Sequence, residues 1–319
     1  MFSSKKWSNL VIFVTSLLLS LVGTETLVRK LYYPSIDVST KRIICRSEDP
    51  ELIYEMTPGA ETVREGVVVR INSDGFRDDP FSQNPRDNEF RIIIMGDSVT
   101  AGWGVEMADA FPQILEKIVN NVGQDRVFTV LNMGVYGYST KQELRLLETR
   151  GLKYKPDLII VVYHLNDPDV ADAGQARYFT RSPIAIVQMI RDKIKSIDSS
   201  RRRAEYHHYI HKRYAQDIRR QFCQLGSISR NVNVPVLVVV LPLFSWKETR
   251  YPWLNIHLRL KKLCMDNGLL FLDLFTSFRR YRSNELSLNM WHPNKLGHRI
   301  IAESIAAFLL DKDGEVRRF

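Results

Sequence analysis

The sequence predicts an α/β protein with a central parallel sheet, and three observations carry that prediction. From Phe90 onward, short apolar runs alternate with helical patterns, the rhythm of strands joined by crossover helices. The runs are continuous rather than alternating: Ile92, Ile93, Ile94 and Met95 in one, "VPVLVVVL" in another. Strands of that kind are covered on both faces, as parallel sheets are. Small and polar residues then cluster where the runs end, as in Gly96-Asp97-Ser98, and in a parallel sheet such ends share one edge.

Length and composition set the frame. A chain of 319 residues holds one large domain with additions, or two small ones. At 45% hydrophobic and 25% charged it has the composition of a globular protein, while its formal charge is +9. Cys45, Cys223 and Cys264 show neither close pairing nor metal-ligand spacing, so at most one disulfide is possible and the fold is no disulfide scaffold. They read as structural thiols.

Taken in order, the chain begins with Lys5 and Lys6 followed by an apolar stretch from about Leu10 to Gly23, reaching Val28 if Glu25 is tolerated. A comfortable membrane span takes about 20 apolar residues and a signal-peptide core about 7–15, so the stretch sits between the two. No A-x-A-like cleavage site follows it, which favours an uncleaved signal anchor over a removed signal peptide or a buried first helix. Lys5 and Lys6 favour an inside amino terminus and an exported body, against the weaker pull of Arg29 and Lys30. The expected location is therefore a single-pass membrane protein with its main domain outside the cytoplasm.

Residues 31–88 read as an extension that packs on the main domain, with a short strand in "EGVVVRINSDGFRDD" and a turn at Ser73-Asp74-Gly75. The main domain runs over 89–311, with strands at 90–95, 127–132, 157–163, 234–241 and 269–273. Helices are expected near 108–121, 140–151, 254–266 and 295–310, the second opened by a capping box of Ser139 and Gln142. About 70 residues separate the third and fourth strands, more than one crossover needs, so 170–232 is read as a basic helical insert. Its "SSRRRAEYHHYIHKRYAQDIRR" is either a solvated basic face or a surface drawn to something anionic. No nucleic-acid-binding motif accompanies it, so no nucleic acid is expected. Residues 312–319 form a polar tail.

The strand ends carry the chemistry. Ser98 follows the first main-domain strand, Gly134 the second and Asn166-Asp167 the third, while His292-Pro293 precedes the last helix. A nucleophilic serine needs a base, and His292 is the best placed histidine. It also needs donors for an oxyanion, which the N–H groups of Ser98 and Gly134 and the amide of Asn166 can supply. Glycine at 134 lets backbone approach a substrate closely. The bland alternative for Gly96-Asp97-Ser98 is an ordinary turn leaving the core.

These stretches resemble the SGNH (GDSL) hydrolase superfamily, whose four blocks are named for Ser, Gly, Asn and His. Gly96-Asp97-Ser98, Gly134, Asn166-Asp167 and His292-Pro293 match them in order, each beside the right strand. The upstream "NSDGFRDD" is similar to a membrane-anchored subset often linked to surface carbohydrate. The resemblance implies a flavodoxin-like three-layer sandwich and metal-free ester hydrolysis or acyl transfer, with no cofactor. Two positions depart from the pattern. His164 stands where the family often has glycine, and Asn289 stands where it usually has the catalytic acid. An amide brings no charge and can hold the imidazole in the wrong tautomer; Asp→Asn costs roughly 10⁴ in kcat in the serine-protease reference case. Asp273 is another candidate acid, though a turn role suits it better.

Other residues have plainer readings. His298 is expected in packing or at the surface, and His164, His207, His208, His211 and His257 lack metal-like spacing. Asp97 and Asp167 are expected to cap turns or orient neighbours, and Trp103, Trp246, Trp253 and Trp291 to line a sugar or acyl site or to sit in the core. The sequence thus points to a serine esterase acting on an ester substrate, possible forms being acylated or anionic carbohydrate. Two rivals stand beside it: an O-acyltransferase using the same site, and a binding protein impaired by Asn289.

Overall fold

The computed structural model describes residues 4–32, 43–122, 126–168, 186–187, 189–190, 205–245, 251–310 and 317. The 312–319 tail apart from Arg317, Trp246 and most of 170–204 lie outside that set. Helix α1 (Ser4–Tyr32) is continuous, and its Trp7–Val28 stretch has a mean hydropathy of 2.0 with none of it buried. Twenty-two residues at about 1.5 Å each reach about 33 Å, against about 30 Å of bilayer hydrocarbon. By length and composition α1 can cross a membrane.

The extension folds into two small antiparallel pairs, β1 (Ile44–Arg46) with β2 (Tyr54–Met56) and β3 (Glu61–Arg64) with β4 (Val67–Arg70). The β3–β4 hairpin turns on Glu65 and Gly66, both at positive φ (51° and 78°), as a two-residue type I′ turn requires. The first pair is tied down by the Tyr54 hydroxyl, which donates to the Tyr136 carbonyl at 2.8 Å, and by Gln142, which donates to the Leu52 carbonyl at 2.8 Å.

The main sheet has five strands: β5 (Glu89–Met95), β6 (Val127–Asn132), β7 (Leu158–Tyr163), β8 (Val236–Val240) and β9 (Leu270–Asp273). All neighbours pair in parallel, in the order β6-β5-β7-β8-β9. Counted from β5 this is 2-1-3-4-5, the flavodoxin-like order, whose switch point opens between β5 and β7. Every residue of β7 and of β8 is buried, which is why their sequences show no alternation.

The flanking helices are α2 (Phe111–Asn120), α3 (Thr140–Thr149), α4 (Tyr206–Arg213), α5 (Ala215–Val232), α6 (Leu254–Asp266), the short α7 (Phe275–Phe278) and α8 (Ser283–Leu286), and α9 (Lys295–Leu309). α2 packs on α9, while α3 packs on α5 and α5 on α6. The expected capping box of α3 is present. The helix expected at 108–121 is split: Ala110 is extended, and α2 restarts with Pro112 in its first turn, where a missing N–H costs nothing.

α5 buries Ile218, Phe222, Leu225 and Ile228 along one stripe and packs on α3, α6 and β8, so it is the β7-to-β8 crossover helix. Residues 215–232, expected as part of the insert, therefore form a helix packed on the sheet and its neighbouring helices. Of the histidines in the added part, His207 and His211 are buried rather than displayed.

Candidate active site

Ser98 stands three residues beyond β5, at the switch-point edge, in a tight turn held by its own residues. Asp97 Oδ1 accepts the Val99 N–H at 2.8 Å, and the Trp103 N–H donates to the Ser98 carbonyl at 2.9 Å. A Cβ at Gly96 would overlap Thr100, so the strand can leave the sheet this sharply only with glycine there.

The second loop, after β6, meets the first backbone to backbone. A Cβ on Gly134 would overlap Thr100 and the Ala101 nitrogen. The Gly134 N–H is not open toward the serine as expected from the sequence; it donates to Asn132 Oδ1 at 3.1 Å. The third loop, after β7, is fixed by Asp167, whose Oδ2 accepts the His164 N–H at 3.0 Å and the Thr140 hydroxyl at 3.1 Å. Asn166 rides on that turn, and its Oδ1 is buried without a hydrogen-bond partner among the described residues.

His292 arrives from the far end of the chain. Its loop is braced by a bridge between Ser287 and Pro293 and by the Phe244 N–H, which donates to the Met290 carbonyl at 2.9 Å. Nε2 of His292 lies 3.0 Å from Ser98 Oγ, and the ring stacks on Trp103 with centroids 4.0 Å apart. Its Nδ1 lies 3.1 Å from Asn289 Oδ1.

The amide orientation follows from the donors around it. Asn289 Oδ1 also receives the main-chain N–H groups of Trp291 at 2.9 Å and His292 at 3.0 Å. Backbone N–H groups only donate, so the atom facing them is the oxygen and not the NH₂. The ring nitrogen that shares this oxygen must donate as well, which places the neutral ring's proton on Nδ1 and leaves Nε2 a bare acceptor toward the serine. Burial pushes the His292 pKa down to about 4; the Asp97 charge pulls the other way, and His164 and Arg64 add to the fall. A hydroxyl 3.0 Å from an unprotonated imidazole nitrogen can pass it a proton as the oxygen attacks.

Several contributors lie outside the residues singled out in the sequence. Arg77, 1% exposed, donates through Nη1 to the carbonyls of Ala101 and Gly102 and through Nη2 to those of Val68 and Val105. It thereby ties the extension to the loop that carries Ser98. Next to it, Asp78 Oδ2 accepts the Asn132 N–H at 2.8 Å, and burial lifts its pKa to about 7. Their signal was the "FRDD" of the upstream segment, whose similarity was visible but whose partners were not.

Asp273 is committed elsewhere: its Oδ1 accepts from His257 Nδ1 at 2.8 Å and from the Phe275 N–H at 2.9 Å. His298 is fully buried, its Nδ1 accepting the Phe111 N–H at 3.2 Å. Trp253 is core, whereas half-buried Trp103 and Trp291 stand beside the site, Trp291 edge-on to His164 and His207. The described residues include no group of three or more His, Cys, Asp or Glu that could hold a metal ion.

A 2-1-3-4-5 parallel sheet with a serine–histidine pair at its carboxyl edge defines an α/β protein of the hydrolase kind. The chain belongs to the GDSL-like lipase/acylhydrolase family, whose model matches residues 94–300. Among solved structures it is similar to a two-domain esterase active on acetylated mannans, at 15% identity and a TM-score of 0.46 over 69% of this chain and 49% of that one. The chain therefore spans about half of that esterase. It is also similar to an acetylxylan esterase mutant from Geobacillus stearothermophilus, at 13% identity and a TM-score of 0.47 over 72% and 95% of the two chains. An α/β hydrolase from the metagenome of Lake Arreo gives 15%, 0.47, and coverage of 68% and 94%. No curated protein matches the chain.

Proposed function

We propose that this chain is a membrane-anchored serine ester hydrolase that removes O-acyl groups, acetyl foremost, from surface carbohydrate. The observation that carries the reading is the unbroken chain Ser98 Oγ–His292 Nε2, His292 Nδ1–Asn289 Oδ1, at 3.0 and 3.1 Å. Ser98 attacks the ester carbonyl while His292 takes its proton, then returns that proton to the departing alcohol oxygen. Water, activated by the same imidazole, releases the acyl group and restores the serine. The Ser98 N–H and the Asn166 amide receive the oxyanion; the Gly134 N–H joins them only by leaving Asn132 Oδ1. Trp103 and Trp291 offer flat apolar faces suited to a sugar ring beside the reacting carbon. α1 holds the domain at the membrane surface.

Asn289 argued for an impaired binding protein because an amide can present its NH₂. With its oxygen engaged by two main-chain donors, that objection weakens, and the esterase reading is preferred. The test is turnover of a small acetyl ester by the full chain in detergent. Ser98→Ala and His292→Ala should each lower kcat by about 10³-fold or more. A Ser98→Ala protein as active as the parent would overturn the reading.

A further inference from the structure

We propose that the Asp97 carboxylate, buried one residue before Ser98, is the counter-charge for the His292 imidazolium, a role Asn289 cannot fill. The inference rests on the esterase reading and explains how a Ser-His-Asn chain tolerates a neutral third member.

When Ser98 Oγ bonds to the ester carbon, its proton moves to His292 Nε2, giving an imidazolium and an oxyanion. Both vanish when the proton passes to the leaving oxygen and the acyl–oxygen bond breaks. In between, a cation sits in a site whose burial opposes it. Asn289 orients the ring but contributes no charge, so a fixed anion elsewhere must hold the cation.

Asp97 is placed to do so. It is 3% exposed and shares the turn of Ser98, itself 3.0 Å from the ring. Its Oδ1 is held by the Val99 N–H at 2.8 Å, and its Oδ2 lies 3.5 Å from His164 Nδ1. Two further buried carboxyls, Glu143 of α3 and Asp167 of the Asn166 loop, lie within its field. The three cannot all ionise together, and their partners decide which does. Both Glu143 oxygens and Asp167 Oδ1 have no hydrogen-bond partner among the described residues. Burial first, and then the Asp97 charge, hold Glu143 and Asp167 well above the usual carboxylate range, with Asp167 adding to the rise at Glu143. Asp97 is held below it by His164, the Val99 N–H and His292, despite burial. Other groups facing this cluster include Tyr54 of β2, which feels the Asp97 charge, Tyr163 of β7, which feels Asp167 and Glu143, and, at His292, Arg64 of β3 and His298 of α9.

Asp97 does not touch the reacting atoms; it is a positioning residue that acts on the ring through its field. Its test follows the His292 imidazole by NMR in the histidine-labelled full chain in detergent micelles, with Ser98→Ala present so that no turnover is needed. The comparison is Asn289→Asp against Asp97→Asn/Asn289→Asp, because the added carboxylate brings the titration into an accessible range. Loss of Asp97 should weaken proton binding by His292 about tenfold, or one pH unit; an unmoved titration overturns the proposal. Should Asp97→Asn not fold, Asp97→Ser, which can still accept the Val99 N–H, is read the same way: a titration about one pH unit lower supports the proposal, and an unmoved one overturns it. In kinetics, Asp97→Asn should lower kcat about tenfold at unchanged KM, and adding Asn289→Asp should recover most of that. An equal loss in both backgrounds contradicts the proposal. An inactive parent enzyme would instead sink the esterase reading, which the titration does not depend on.

Discussion

Three N–H groups converge on the side-chain oxygen of Asn289: those of the Trp291 and His292 main chains and the His292 ring. That convergence, rather than a charge, sets the tautomer. His292 must be neutral to accept the serine proton, so activity should persist at neutral pH and vanish as pH falls through its pKa of about 4. Asn289→Asp should raise that pKa by adding an adjacent anion, moving the acid limb of kcat/KM to higher pH while raising the plateau. A pH–rate profile of the two proteins checks both shifts. Ser98, His292 and the Asn166 loop were legible in the sequence because each follows or precedes an element with a strong pattern. The Asn289 orientation was not, because it depends on how the 289–292 turn aims two backbone donors at one atom.

At the scale of elements, the extension works as a clasp. Arg77 has four backbone carbonyls as partners, two of them in the loop just after Ser98. Arg77→Leu would strand these acceptors at about 1–3 kcal/mol for each group left unsatisfied. A thermal melt should show several degrees lost, together with reduced kcat as the nucleophile loop relaxes. Gly134→Ala forces the second loop off Thr100 and Ala101 and should cost activity out of proportion to stability; comparing kcat/KM with Tm separates the two. The five strands were legible because buried parallel strands are uninterrupted apolar runs. α5 was not recognised as a crossover, since Arg219, Arg220 and Arg230 gave it the look of its basic surroundings while Ile218, Phe222 and Leu225 turned inward. The break at Ala110 was hidden by the apolar pattern running on either side of it.

For the whole molecule, strand order was beyond the apolar pattern and was implied only by the family resemblance, through its flavodoxin-like sandwich. Pattern gives parallel strands but not which crossovers reverse direction, and the 2-1-3-4-5 order puts the Ser98 and Asn166 loops on adjacent strands. α1 belongs to this scale too: if it is the uncleaved anchor, the full-length chain should stay with membranes after a carbonate wash, and a shortened, soluble product would mean cleavage. Stability should also respond to pH through buried His298, whose pKa burial lowers to about 3. The unfolded chain binds a proton there at about 6.5 and the folded one does not, so this group costs stability as pH falls below that value. His298→Gln should therefore shrink the loss of Tm between neutral pH and pH about 4.

The most direct measurement is covalent labelling of the folded full chain with a fluorophosphonate, the modified residue being located by peptide mass spectrometry. A hydroxyl primed by its imidazole predicts one adduct, at position 98, absent from Ser98→Ala and His292→Ala. A folded protein that stays unlabelled, or that carries the adduct on another residue, would contradict the account.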